Sequence, residues 1–142
     1  MLFALLIALN HLSCGALCSD DAFAQYSGLL ARKQLSYSRV EEAAFLIQDS
    51  AGRLHAVNWK SGASDRALYV GPRPEHCIGV MHTHPFGDNK PSLGDRNEAQ
   101  RIRLPIVVVT PVAVTVAWPD GTVSSLTDGV SWAAIRRSER YQ

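Results

Sequence analysis

Residues 81–95, MHTHPFGDNKPSLGD, set His82 and His84 one residue apart and follow them with Pro85, Ser92 and Asp95. Side chains alternate along an extended strand, so the two histidines project from one face together with Ile78 and Val80, and their imidazoles can share one ion. Pro85 takes the chain out of any β-ladder. The loop that follows returns to a helix start bearing Asp95, whose carboxylate can be a third ligand. Two imidazoles and one carboxylate leave a tetrahedral zinc ion one open position, which a catalytic site needs and a closed structural site lacks. Zinc there would acidify a water and polarise a substrate carbonyl. Ser92 suits two compatible roles, donor to a developing oxyanion and N-cap of the helix that carries Asp95.

The elements that must position these residues can be read from periodicity. Residues 25–36 carry apolar positions at helical spacing, weakened by Gly28. Two apolar runs, about 42–48 and 53–59, flank DSAG, a turn cluster with glycine where a positive φ is needed, and predict a β-hairpin. A short strand at 67–70 follows, then loop with two prolines, then a strand at 77–82 leading into the histidines. Ser92 with Asp95 three residues on predicts a helix over about 93–103, ended by Pro105. PIVVVTPVAVTVAW is rich in β-branched residues and divided by Pro111, and a PDG turn leads into TVSSL, giving two or three more strands. A short terminal helix around Val130, Ala134 and Ile135, with Trp132 near its edge, closes the chain. This order predicts a single α/β domain with a central mixed sheet and helices on its faces.

The run H-T-H-P, six residues, S, two residues, D resembles the signature of the JAB/MPN (JAMM) metalloprotease family, with His82, His84, Pro85, Ser92 and Asp95 filling every fixed position. The resemblance is tight over this motif and looser from Glu41 to Gly121. It implies a JAB1/MPN-type fold, a curved mixed sheet packed by helices and related to the cytidine deaminase-like architecture. It also implies a zinc peptidase with His82, His84 and Asp95 as metal ligands and an upstream glutamate as general base. VEEAAFL offers Glu41 and Glu42, which face opposite sides of a strand, so only one can serve. The family's glutamate is commonly followed at its third position by glycine. Glu41 places the small Ala44 there and Glu42 places Phe45, so Glu41 is the favoured base and Glu42 the alternative. The expected substrate is a peptide or protein amide. Deubiquitinating relatives carry insertions that grip the modifier, for which about 118 residues after a leader leave little room, so a peptide or cell-wall-type amide fits better.

The first 24 residues predict export. MLFALLIALNHLSCGAL is too short and too broken to span a bilayer, and Ala22 and Ala24 supply small residues for cleavage after Ala24. The start of the run lacks Lys and Arg, and an N-terminal anchor or core helix is the competing reading. Lipidation at Cys14 is disfavoured because His11 stands where an aliphatic residue is wanted. Such a cut removes Cys14 and Cys18 and leaves Cys77 alone, with no internal disulfide. It also removes Asp20 and Asp21, moving the net charge from +1 to +3. The basic residues are scattered without interleaved aromatics, which gives no support to nucleic-acid binding. His55 and His76 are expected to be surface or structural residues and Cys77 a small packed hydrophobe. Two other classes compete with the peptidase. A non-catalytic metal-containing peptide-binding module is one; a zinc deaminase is the other, and the PCxxC ligand pair it needs is absent.

Overall fold

The computed structural model describes residues 14–35, 41–59, 72–84, 88–127 and 132. Six strands form one mixed sheet: β1 (Ala43–Gln48), β2 (Leu54–Trp59), β3 (Cys77–Thr83), β4 (Ile106–Val109), β5 (Val114–Ala117) and β6 (Val123–Ser125), in the order β2-β1-β3-β4-β5-β6. Only β3 and β4 run parallel, and the connection between them carries helix α2 (Leu93–Ile102). A longer helix, α1 (Asp20–Leu35), precedes the sheet. The chain is thus α/β. The strand expected at 67–70 and the terminal helix, Trp132 excepted, lie outside the described residues. Among the described residues no helix is long and apolar enough to cross a membrane.

Local chemistry explains the hairpin. Asp49 Oδ1 accepts from the N–H groups of Ala51 and Arg53, both at 2.9 Å, and Gly52 takes φ 81°, which favours glycine. Alternation along the strands then divides the core in two. Ala44, Leu46, Met81, Val107, Val109, Val114 and Val116 pack with Tyr26, Leu29 and Leu30 of α1. Val80, Ile106 and Ala117 pack with Ala99 and Ile102 of α2. The helices therefore cover opposite faces, as expected of a sheet with two apolar sides. The expectation that Ile78 shares a face with Val80 is corrected here. The β1–β3 register slips between Leu46 and Ile47, so that Leu46 faces Gly79 and Ile47 faces Cys77. Ile78 is the extra residue of this bulge and packs on the α1 side, while Val80 stays on the α2 side.

The first helix begins at Asp20, earlier than the periodicity suggested. Cys14 and Cys18 are joined by a disulfide across a 3₁₀ turn, Gly15–Cys18. Ser19 Oγ then accepts from Ala22 N at 3.1 Å, and Asp20 and Asp21 occupy the first turn of α1, where the helix dipole favours acidic side chains. The expected boundary after Ala24 falls inside this helix. Leu17 and Ala22 are in the core, the buried Tyr26 hydroxyl donates to Leu17 O at 2.8 Å, and Asp21 accepts from Leu54 N at 3.0 Å. Residues 14–24 are therefore tied to the sheet by packing, by hydrogen bonds and by the turn that starts α1.

Candidate metal centre

His82 lies in β3 on the α2 side of the sheet, opposite Ala43 of β1 and Val108 of β4. His84 follows one residue beyond the strand's end, and the two rings stand edge to face, 4.9 Å apart. Asp95 reaches them from the first turn of α2. Its Oδ1 lies 3.0 Å from His82 Nε2 and its Oδ2 lies 3.2 Å from His84 Nε2. Glu41, just before β1, places Oε2 3.3 Å from His82 Nδ1. Glu41 and His82 are buried, and His84 is half-buried.

Each position has a local cause. Ser92 caps α2 through a reciprocal pair of bonds: its Oγ accepts from Asp95 N at 3.1 Å, and its own N–H donates to Asp95 Oδ2 at 2.8 Å. The cap thereby orients the carboxylate that faces the histidines. Ser92 is exposed, and in the capping pair its hydroxyl oxygen acts as the acceptor. His84 Nδ1 lies 2.8 Å from the main-chain oxygen of Asp88, which makes Nδ1 a donor and, in the neutral ring, leaves the lone pair on Nε2. Sequence reasoning missed this partner, because a main-chain carbonyl leaves no residue-type signal.

The two glutamates separate as strand alternation requires. Glu41 shares the face of Ala43 and turns towards His82, whereas Glu42 turns to α1 and pairs with Arg32 at 3.5 Å. His55 is exposed and pairs with Asp49 at 2.8 Å, and His76 is exposed at the start of β3. Neither reaches the cluster. Cys77 is half-buried, and burial raises its thiol pKa.

Two features suit a cation. One donor atom from each of Glu41, His82 and His84 lies within 4.8 Å of the others, so this cluster could hold a metal ion. His82 Nε2 is buried and has no hydrogen-bond partner among the described residues, its near neighbour being an Asp95 carboxylate oxygen at 3.0 Å. That is the nitrogen facing Asp95 and turned away from Glu41. The 3.0 and 3.2 Å separations also approach the edge of a tetrahedron with bonds of about 2 Å, roughly 3.3 Å. Donors at these spacings could take up a small divalent cation.

Electrostatics in the metal-free chain give a pH signature. Burial opposes a charge on His82, but the Asp95 and Glu41 carboxylates outweigh it and hold the imidazole pKa up at about 9. His84 is likewise raised by Asp95 against the cost of burial. Burial would raise the Asp95 pKa, but both histidines pull it well below the usual carboxylate range. A histidine with a raised folded pKa contributes stability that is complete below 6.5, its ordinary value, and lost as pH climbs through about 9. Asp95 contributes above 3.8 and loses its contribution only as pH falls through its depressed folded value. The metal-free chain should therefore melt at steadily lower temperature from about pH 6 to 9, a trend that Asp95→Asn should flatten. A midpoint that rises over this range would contradict the assigned ion pairs.

Searched against protein-family models, curated proteins and solved structures, the chain has no match. What is established is the class: an α/β protein whose described residues form a mixed six-stranded sheet and a largely buried Glu/His/His cluster that could hold a metal ion.

Proposed function

We propose that this chain is a zinc-dependent hydrolase of peptide or isopeptide bonds, of the JAB/MPN type that its histidine motif resembles. The observation that carries the proposal is the convergence of Asp95 on both Nε2 atoms while Glu41 approaches the opposite edge of His82. In this reading His82, His84 and Asp95 hold the ion. Bound there, zinc would polarise the scissile carbonyl and acidify the attacking water.

The protein's own groups do the rest. In this reading the Glu41 carboxylate, which has an oxygen within 4.8 Å of one ring nitrogen of each histidine, is the base for the attacking water. It takes the proton of the attacking water and passes it to the leaving amine. Burial of Glu41 shields this transfer from bulk solvent. The Ser92 hydroxyl, at the helix start beside Asp95, donates to the carbonyl oxygen as negative charge builds there. Substituting Ser92 by Ala should cost about 1 kcal/mol of stability through the lost cap. The same change should lower kcat about 10²- to 10³-fold if the hydroxyl also steadies the oxyanion. A stability loss with unchanged kcat would leave Ser92 as a cap alone.

Export is part of the proposal. The Cys14–Cys18 disulfide belongs in an oxidising compartment, which supports a secreted or periplasmic protein. Because residues 14–24 pack into the domain, the processing site consistent with that packing lies upstream of Cys14. The competing reading, a metal-containing module that binds peptides without cleaving them, keeps the same ligands. One experiment separates the two: the zinc-loaded chain is incubated with a casein digest and the peptides are followed by mass spectrometry. New termini that disappear with a chelator support the hydrolase. Zinc at one per chain with no new termini favours the binding module.

A further inference from the structure

Thr83 stands between the two histidines but faces the other way, fully buried on the α1 side of the sheet. Its main-chain N–H donates to Glu42 O at 3.0 Å, as an antiparallel ladder requires. The return bond differs. Glu42 N donates to Thr83 Oγ1 at 3.0 Å, where a regular pair would use the main-chain carbonyl of Thr83. The side chain takes over at the point where the ladder ends, since Ala43 opposite His82 is the last registered pair of β1 and β3. The two bonds hold Glu42 at both of its peptide groups. One of those groups is the link to Glu41. On the same residue, Arg32 of α1 draws the Glu42 side chain to the far face at 3.5 Å.

We infer that Thr83 is a positioning residue, whose hydroxyl oxygen fixes the Glu41–Glu42 peptide and so aims the Glu41 carboxylate at the histidine pair. Glu41 lies outside any strand, where no ladder bond would otherwise set its direction. A residue between the histidines must therefore satisfy two demands at once: fill a closed space against the α1 layer and present an acceptor to Glu42 N. Threonine meets both, valine only the first and serine chiefly the second. The inference rests on the proposed role of Glu41 as the base, and its test can fail separately from that role.

The test compares the native chain with Thr83→Val, Thr83→Ser and Glu41→Gln. Amide exchange at Glu42 is measured by NMR on metal-free protein, and the visible spectrum is recorded after loading with cobalt(II) alone. Turnover is measured on any casein peptide that the native chain cleaves. Thr83→Val should lose protection at the Glu42 amide by about tenfold, the scale of one buried hydrogen bond. It should bind one cobalt with a spectrum displaced from native in the direction of Glu41→Gln, and lower kcat with KM unchanged. Thr83→Ser should restore all three. Native Glu42 protection in Thr83→Val would overturn the inference. So would lost protection accompanied by a native cobalt spectrum, because Thr83 would then be structural only. Native turnover in Glu41→Gln would remove the base role, while the exchange and spectral readouts would still decide whether Thr83 positions Glu41.

Discussion

Glu41→Gln should bind zinc as the native chain does and hydrolyse peptide substrate about 10²- to 10⁴-fold more slowly, the range a positioned general base contributes. Glutamine keeps the shape of the side chain and can still accept from His82 Nδ1, the contact that spans 3.3 Å in the native chain. It therefore preserves the tautomer that leaves Nε2 free for a metal. What it cannot do is take a proton from water. A loss of kcat with unchanged zinc stoichiometry isolates that step, because the ligands His82, His84 and Asp95 are untouched. Glu42→Gln is the control: its side chain pairs with Arg32 on the opposite face, so the expected change in kcat is small. Full activity in Glu41→Gln would end the assignment of Glu41 as base, and loss of activity in Glu42→Gln alone would transfer it.

The second large effect concerns stability. A chain of residues 25–142 should be several kcal/mol less stable than one of residues 14–142 in urea unfolding at the same pH. Leu17 is 4 % exposed, and burying a leucine contributes about 1.5–3 kcal/mol. Losing Leu17 O leaves the buried Tyr26 hydroxyl without its acceptor, a further cost of about 1–3 kcal/mol. The shortened α1 also loses the Ser19 cap, its two acidic first-turn residues and the tie from Asp21 to Leu54 N. Against a typical total of about 5–15 kcal/mol, these losses approach the whole stability of the domain. Equal unfolding midpoints and slopes for the two chains would show that residues 14–24 add nothing to the fold.

The same stretch shows where sequence reading reaches its limit. Ser19, Asp20 and Asp21 carry an ordinary helix-start signal. They follow an apolar run, however, and a run of that kind has the same composition whether it leads to export or to a core. The spacing of Cys14 and Cys18 is short enough for one turn, yet a pairing becomes visible only when both are placed inside the folded domain. The hairpin, by contrast, was legible because its strands alternate and Asp49 and Gly52 dictate the turn locally. The histidine pair and the Ser92–Asp95 cap were legible for the same reason: their spacing is short and their chemistry local. Ile78 was assigned to the wrong face because a bulge is a mismatch between two strands and leaves no mark on either one alone. Alternation could say that Glu41 and Glu42 diverge. Which of them meets the histidines depends on the β1–β3 register, a contact between residues 41 positions apart.

The most direct test of the metal centre is anomalous scattering at the zinc edge from crystals of the zinc-loaded chain. One peak per chain is expected, about 2.0–2.2 Å from His82 Nε2, His84 Nε2 and an Asp95 carboxylate oxygen. Glu41 should stand outside that bonding distance, within reach of a water in the remaining position. No peak at the histidine pair, or one bonded by Glu41 with Asp95 turned away, would contradict the account.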